Sequence, residues 1–147
     1  MRHWSAPFIG LPHRDKGRSR AGVDCWGIPF LVFREHLGVA DFPSYVDRYA
    51  SDSEKREISA VVAGEAESPI WRPLHGRLLP REVELEPFDI LFFRRGRFDS
   101  HAGVVIDGRQ MLHMSTEALA SIVERFDTGR WPGTFAGAYR WRGLEGR

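Results

Sequence analysis

The chain has 147 residues, 42% hydrophobic and 28% charged, which predicts one globular domain over residues 1–147. Its 21 Lys and Arg against 20 Asp and Glu give a net charge of +1, without the strong positive charge typical of nucleic-acid binders. A single cysteine excludes an intrachain disulfide, and no apolar run is long enough to span a membrane. We therefore expect no nucleic-acid partner and no membrane insertion.

The N-terminal segment does not resemble a signal peptide. The stretch from Met1 to Pro7 has no continuous apolar run and no small-residue cleavage pattern. We expect synthesis in the cytoplasm, so a substrate outside the cell would require delivery by another component. Residues 1–23 are broken by repeated Gly and Pro and are predicted to be irregular.

The first predicted helix runs from Asp24 or Cys25 to His36. Its apolar residues recur near helical spacing, and Asp24 is a suitable N-cap. Pro29 is tolerated only in the first turn of a helix, which independently places the start near Cys25. Gly38 is a suitable stop.

The remaining chain changes from helical to strand-like spacing. A capping box at Ser51 predicts a second helix that ends before Gly64, and residues 65–86 are predicted to be mostly loop. Four later segments alternate like short strands, which indicates an α+β domain. These segments are Asp89–Phe93, Ala102–Ile106, Gln110–Met114 and Ala136–Trp141.

The lone cysteine stands where turn-like sequence gives way to the first helix. A thiol becomes a good nucleophile as its thiolate, which the N–H groups of a helix start and a nearby imidazolium both favour. His101 and His113, in two of the predicted strands, are candidate imidazoles. With Cys25 they form the set that nucleophilic catalysis needs: a nucleophile, a base and a group that orients the base. The pattern indicates a cysteine hydrolase.

The two histidines can cooperate only if the strands pair in a suitable register. A two-residue turn at Asp107-Gly108 would put His101 and His113 on opposite faces. A three-residue loop with a glycine bulge would pair Val105 with Arg109, and so His101 directly with His113. We predict the second register.

Other interpretations of these residues remain open. A lone cysteine is commonly a small buried apolar side chain, and a histidine at a strand end is commonly a surface or satisfied core residue. Cys25, His101 and His113 could also be three ligands of a zinc site. No paired-ligand motif such as C-x-x-C or H-E-x-x-H accompanies them, so we predict no metal and no cofactor.

Four motifs follow one another between Ala6 and Trp141, from the nucleophile segment to a third polar residue. They are Asp24-Cys25-Trp26-Gly27-Ile28, Phe88-Asp89-Ile90-Leu91-Phe92-Phe93, His101-Ala102-Gly103-Val104 and Met111-Leu112-His113. In this order they resemble the NlpC/P60 family of cysteine peptidases, which cut peptidoglycan stem peptides. The resemblance implies a papain-like fold, in which an N-terminal helix bearing the nucleophile packs on an antiparallel β-sheet.

The resemblance also implies roles for individual residues. Cys25 is the expected nucleophile, His101 the base and His113 the third member of the set. The family usually has a Tyr twelve positions before the nucleophile, near the oxyanion, and this chain has His13 there. The expected oxyanion and substrate-binding residues are His13, Asp24 and Trp26.

The implied substrate is a peptidoglycan stem peptide, cut between D-Glu and the following diamino acid. Trp26 after the nucleophile, and the N-terminal segment described above, resemble members carried by phage tails and gene transfer agents. That implies tail-hub or baseplate partners and action on the cell wall in the periplasm. A structural tail-hub subunit with a vestigial site, and another papain-like amidase or acyltransferase, remain alternatives.

Overall fold

An antiparallel sheet of six strands forms the frame of the computed structural model, which describes residues 3–47, 70–74, 85–95 and 98–145. The predicted second helix and most of the predicted loop over 65–86 lie outside the described residues. The sheet order is β3-β8-β4-β5-β6-β7, and β1 and β2 form a separate pair. The strands are β1 (Arg18–Ser19), β2 (Gly22–Val23), β3 (Trp71–Pro73), β4 (Ile90–Arg95), β5 (Phe98–Asp107), β6 (Gln110–Ser115), β7 (Ala120–Arg125) and β8 (Phe135–Trp141).

The four predicted strands are confirmed as β4, β5, β6 and β8, and the α+β class is confirmed with them. Several short elements were not predicted. The first 23 residues are not wholly irregular, because they contain β1, β2 and a 3-10 turn at Ala6–Phe8. The strands β3 and β7 were missed as well.

The predicted first helix is confirmed as α1 (Gly27–Leu31), which continues as one wide π-type turn over Val32–His36. The Leu37 N–H donates to the Val32 carbonyl at 3.1 Å, five residues back. Gly38 then adopts a φ of 68°, a left-handed conformation that ends helices and suits glycine. Within the described ranges, no helix is long and apolar enough to cross a bilayer.

The sheet buries apolar side chains on both faces. The larger cluster joins α1 to alternate residues of β4, β5 and β6, and it includes Cys25, Ala102 and Met114. Trp26 is fully buried there, with its ring 6.0 Å from Trp71 and other aromatic rings around it. The smaller cluster covers the opposite face around a one-turn helix, α2 (Trp131–Thr134). The sheet is therefore a central layer, and α1 is fixed to one side of it.

A buried ion pair fastens β8 to the start of the neighbouring strand β4. The side chain of Asp89 is 1% exposed, and both its oxygens accept hydrogen bonds from Arg140 at 2.8 Å. These hydrogen bonds raise the pKa of the Arg140 guanidinium above its ordinary value. Asp89 belongs to the motif that precedes β4, so this position in the motif has a structural function.

The start of α1 lies close to the loop before β1, and only glycine fits there. A Cβ at Gly27 would overlap the carbonyl oxygen of Gly17 and lie 2.9 Å from the Cβ of Val23. We expect Gly27→Ala to lower the free energy of unfolding by about 1–3 kcal/mol, the usual cost of overpacking. Gly133→Ala is the matched control, because a Cβ there meets nothing within 4 Å. Urea unfolding would measure both variants, and equal stabilities would contradict the prediction.

Candidate active site

The residue before the cysteine caps α1. The Asp24 carboxylate is fully buried, and its Oδ1 accepts hydrogen bonds from the backbone N–H groups of Trp26 at 3.1 Å and Gly27 at 2.8 Å. Arg18 donates to the same oxygen at 2.8 Å, so the buried carboxylate is paired with the positive charge of the guanidinium. Asp24 therefore makes the hydrogen bonds expected of a capping side chain, although the N-cap position of α1 itself is Trp26, and these bonds fix the backbone on either side of Cys25.

Cys25 lies two residues before α1 and is 2% exposed. It belongs to the larger apolar cluster together with Ala102 and Met114, which are the chain neighbours of His101 and His113. Side chains alternate along a strand, so Ala102 and Met114 point to the face covered by α1 and the two histidines point to the other. The helix that follows the cysteine packs directly on β5 and β6.

The register between β5 and β6 differs from the prediction by two residues. His113 pairs with Gly103 rather than with His101, and Asp107 pairs with Gln110. The predicted pairing of Val105 with Arg109 is therefore wrong. The extra residue is Ile106, between Val105 and Asp107, where the register shifts. Because the difference is even, the two histidines still share one face, as the sequence analysis required.

The two imidazoles are in direct contact as diagonal neighbours. Nε2 of His101 and Nδ1 of His113 are 2.8 Å apart, and the ring planes are nearly perpendicular at 86°. Both residues are 1% exposed. The second nitrogen of the His113 ring, Nε2, lies 2.8 Å from Oε1 of Glu124. The result is one hydrogen-bonded chain that runs from a buried imidazole to a carboxylate whose side chain is 42% exposed.

The indole of Trp131 covers both histidines. Its ring stacks on His101 with centroids 5.4 Å apart at 20°, and it meets His113 edge to face at 5.1 Å. Trp131 is 4% exposed, and the guanidinium of Arg130 lies over the same indole at 4.6 Å. Stacking on one ring and hydrogen bonding to the other leaves each imidazole a single packed orientation.

The segment around His13 lies beside the strand that leads to the cysteine. His13 forms a parallel bridge with Val23, and its N–H donates to the Leu119 carbonyl at 3.0 Å. The side chain is half-exposed. The backbone of His13 therefore lies beside Val23, which is two residues before Cys25, although His13 itself is twelve positions before Cys25 in the sequence.

Trp26 occupies the core rather than a surface. Its exposed fraction is zero, and its Nε1 donates to the Pro43 carbonyl at 3.1 Å. The indole is enclosed by aromatic rings, so its position is that of a packing residue that anchors the start of α1, not of a side chain open to substrate. Asp24 is equally enclosed, with its oxygen engaged by the helix start and Arg18.

Sequence reasoning missed two residues that touch the histidines. Glu124 lies in β7, a strand that was not predicted, and Trp131 lies in a turn-like Trp-Pro-Gly stretch. Ile122 and Glu124 point to the same face of β7 as the His113 ring, and no alternation of apolar and polar residues marks this strand in the sequence. Among the described residues, no group of three or more His, Cys, Asp or Glu side chains is arranged to hold a metal ion.

A family model and solved structures resemble this chain. The model described as NlpC/P60 family matches residues 10–140. An NlpC/P60 family protein from Bacillus cereus is similar at 20% identity with a TM-score of 0.60, over 93% of this chain and 37% of its own. The NlpC1 protein of Trichomonas vaginalis is similar at 15% identity, with a TM-score of 0.58, over 94% of this chain and 41% of its own.

A third structure is similar over nearly its whole length. The NlpC/p60 domain of the peptidoglycan hydrolase SagA has 16% identity and a TM-score of 0.57, over 93% of this chain and 92% of its own. This chain thus spans well under half of the first two structures and nearly all of the third. Identities this low establish a shared fold. No curated protein matches the sequence.

The packing of Trp131 on the histidines gives a stability prediction. Trp131→Ala removes a buried indole that touches both imidazoles, and we expect it to lower the free energy of unfolding by about 3–5 kcal/mol. Trp131→Phe should cost less, because it keeps an aromatic face against His101. Urea unfolding of the two variants would test this order. A Trp131→Ala protein as stable as the wild type would contradict it.

Proposed function

Because the chain belongs to the NlpC/P60 family, we propose that it is a cysteine endopeptidase that hydrolyses peptidoglycan stem peptides. Family membership supports a cell-wall peptidase in general. The observation that carries the proposal is the hydrogen bond of 2.8 Å between His101 and His113, on strands that pack against the helix that follows the only cysteine. A structural role alone does not call for two buried imidazoles bonded to each other.

In this proposal Cys25 is the nucleophile, His101 its acid and base, and His113 the group that orients His101. Nε2 of His101 is engaged by His113, so in this proposal the buried Nδ1 exchanges a proton with the sulfur. Because the imidazoles lie on the face away from α1, the proposal requires the sulfur, in the turn before the helix, to reach His101 past the edge of its strand. Burial by itself favours a neutral thiol, whereas the start of α1 and an imidazolium favour the thiolate. The proposal therefore requires the charged pair to outweigh the cost of burial.

The reaction proceeds through an acyl enzyme. The Cys25 sulfur attacks the carbonyl carbon of the stem-peptide amide, and a carbon–sulfur bond forms while the carbonyl electrons move to oxygen. The C–N bond breaks, and the leaving nitrogen takes the proton from Nδ1 of His101. Water then gives a proton to His101 and attacks the thioester, which releases the acid and regenerates the thiolate.

The oxyanion is proposed to bind at the backbone N–H of Cys25 and the side chain of His13. The half-exposed His13, beside the strand that leads to Cys25, supports this. Asp24 contributes by capping α1, and Trp26 by anchoring the start of the helix in the core. Both residues would thus hold the backbone around Cys25 in place without touching substrate.

The substrate bond and the biological setting are further parts of the proposal. We propose cleavage between D-Glu and the following diamino acid, the linkage that the motifs imply by resemblance. Trp26 directly after the nucleophile supports a member carried by a phage tail or gene transfer agent, with tail-hub or baseplate partners. Such a particle would carry the enzyme to the cell wall in the periplasm.

A structural tail-hub subunit with a vestigial site is the second candidate. Two observations favour it: His13 stands where the family usually has Tyr, and Cys25 is only 2% exposed. Another papain-like amidase or acyltransferase is the third candidate, because the same thiol and imidazoles would serve either reaction.

Digestion of purified muropeptides followed by mass spectrometry tests these candidates. We expect the wild type to release a new amine at the D-Glu junction, and Cys25→Ala or His101→Ala to lower the rate by roughly 10⁴-fold or more. Met114→Leu is the matched control, since Met114 shares the buried cluster with Cys25 and the exchange nearly conserves volume. A different cleaved bond would favour the third candidate, and no product from the wild type would favour the second.

Alkylation of Cys25 tests the proposed pair of Cys25 thiolate and His101 imidazolium without any substrate. If His101 stabilises the thiolate, iodoacetamide should modify Cys25 at a pH of about 7 or below, where an ordinary thiol is largely protonated. His101→Ala should shift the modification to higher pH, by about one unit or more. Mass spectrometry would follow the modification against pH. Identical pH profiles for the two proteins would contradict the proposed pair.

A further inference from the structure

Glu124 ends the hydrogen-bonded chain that begins at His101. Met111 pairs with Glu124 across β6 and β7, and His113 pairs with Ile122, so the carboxylate and the His113 ring lie on the same face two positions apart. The distance from Glu124 Oε1 to His113 Nε2 is 2.8 Å. With its side chain 42% exposed, this carboxylate keeps part of its hydration while it contacts a buried ring.

A carboxylate at this position determines where the protons of both neutral rings lie. An ionised carboxylate can only accept, so Nε2 of His113 must carry a hydrogen. The Nδ1 of a neutral His113 then has a lone pair and accepts from Nε2–H of His101, 2.8 Å away. The remaining lone pair of His101 is therefore on Nδ1, the nitrogen that would take the proton from the sulfur.

Without the carboxylate, nothing determines which of the two rings donates in the hydrogen bond between them. A pair of neutral imidazoles forms one hydrogen bond equally well with either ring as the donor. In the reverse arrangement Nδ1 of His113 donates to Nε2 of His101, and the His101 proton sits on Nδ1. That form cannot accept a proton from a thiol at Nδ1. The acceptor beyond His113 is what removes this unproductive alternative.

We propose that Glu124 is a positioning residue that fixes the tautomers of His113 and His101, so that Nδ1 of His101 is the base. The catalytic consequence rests on the proposed peptidase function, whereas the tautomer assignment does not. Trp131 holds the ring orientations by packing, and Glu124 determines the proton positions. Because Glu124 would act through His113, its loss should affect kcat more than KM.

The test uses the full-length chain with Glu124→Leu, which removes the acceptor, and Glu124→Gln, whose amide oxygen can still accept. Glu35→Gln is the matched control, because Glu35 has a similar side-chain exposure of 38% and pairs with Arg20 rather than with His101 or His113. Histidine ¹⁵N NMR spectra are recorded in a Cys25→Ala background, above the pH range in which histidines titrate. The kinetic arm uses the same Glu substitutions with Cys25 intact.

We expect the unsubstituted Glu124 and Glu35→Gln to show both rings protonated at Nε2. Glu124→Leu should shift signal to the Nδ1–H form of His101 and lower kcat by roughly 10- to 100-fold with little change in KM, and Glu124→Gln should restore part of both. An unchanged tautomer pattern in Glu124→Leu overturns the proposal, and so does a changed pattern with unchanged kcat. If the wild type cleaves no muropeptide, the peptidase function fails separately, and the NMR spectra still decide the tautomer assignment.

Discussion

One extra residue in a strand determines whether this site can exist. Ile106 is inserted between Val105 and Asp107 while β6 continues without a break, and the pairing beyond it shifts by one. Without that insertion, His113 would pair opposite Val104 and point toward α1, away from His101. The contact between the imidazoles, the stacking of Trp131 and the reach to Glu124 all depend on this bulge. A bulge near the end of one strand thus determines the contacts of side chains several residues away.

The sequence was sufficient where one strong local signal dominated. Asp24 and Pro29 located the start of α1 to within three residues of Gly27, and Gly38 located its end, because caps and glycine stops act through nearest neighbours. The shared face of the histidines was also predicted, but the register was not. An Asp-Gly pair is compatible with several loops, and the choice among them depends on packing against β4 and β7.

The missed elements share a physical cause. In β7 the fully buried residue is Ser121, whose hydroxyl donates to the Phe8 carbonyl at 2.6 Å and accepts from the Leu11 N–H at 2.9 Å. A polar residue on the buried side hides the alternation by which strands are found. Glu124 was missed because its strand was missed. The contacts of Trp131 with the two histidines depend on packing between residues that are distant in sequence. The likeness to a known family supplied the catalytic set, but not these two neighbours.

Among the described residues, the buried aspartates and histidines follow a common pattern, in which each is linked to a charged side chain nearer the surface. Asp24 is fully buried and meets Arg18 at 12% side-chain exposure, and Asp89 at 1% meets Arg140 at 13%. The histidines reach the surface through Glu124. Burying a polar group is costly unless its hydrogen bonds are made, and a partly hydrated partner reduces that cost.

The backbone of residues 10–13 has a mechanical consequence, because it is bonded on both sides. On one side the Gly10 N–H donates to the Ser121 carbonyl at 2.9 Å, and on the other the Val23 N–H donates to the Pro12 carbonyl at 2.9 Å. A single peptide stretch thereby ties the strand of Glu124 to the residues that lead into α1. A displacement of β7, at the outer edge of the sheet, would therefore pull on these hydrogen bonds and, through them, on the segment that leads to Cys25.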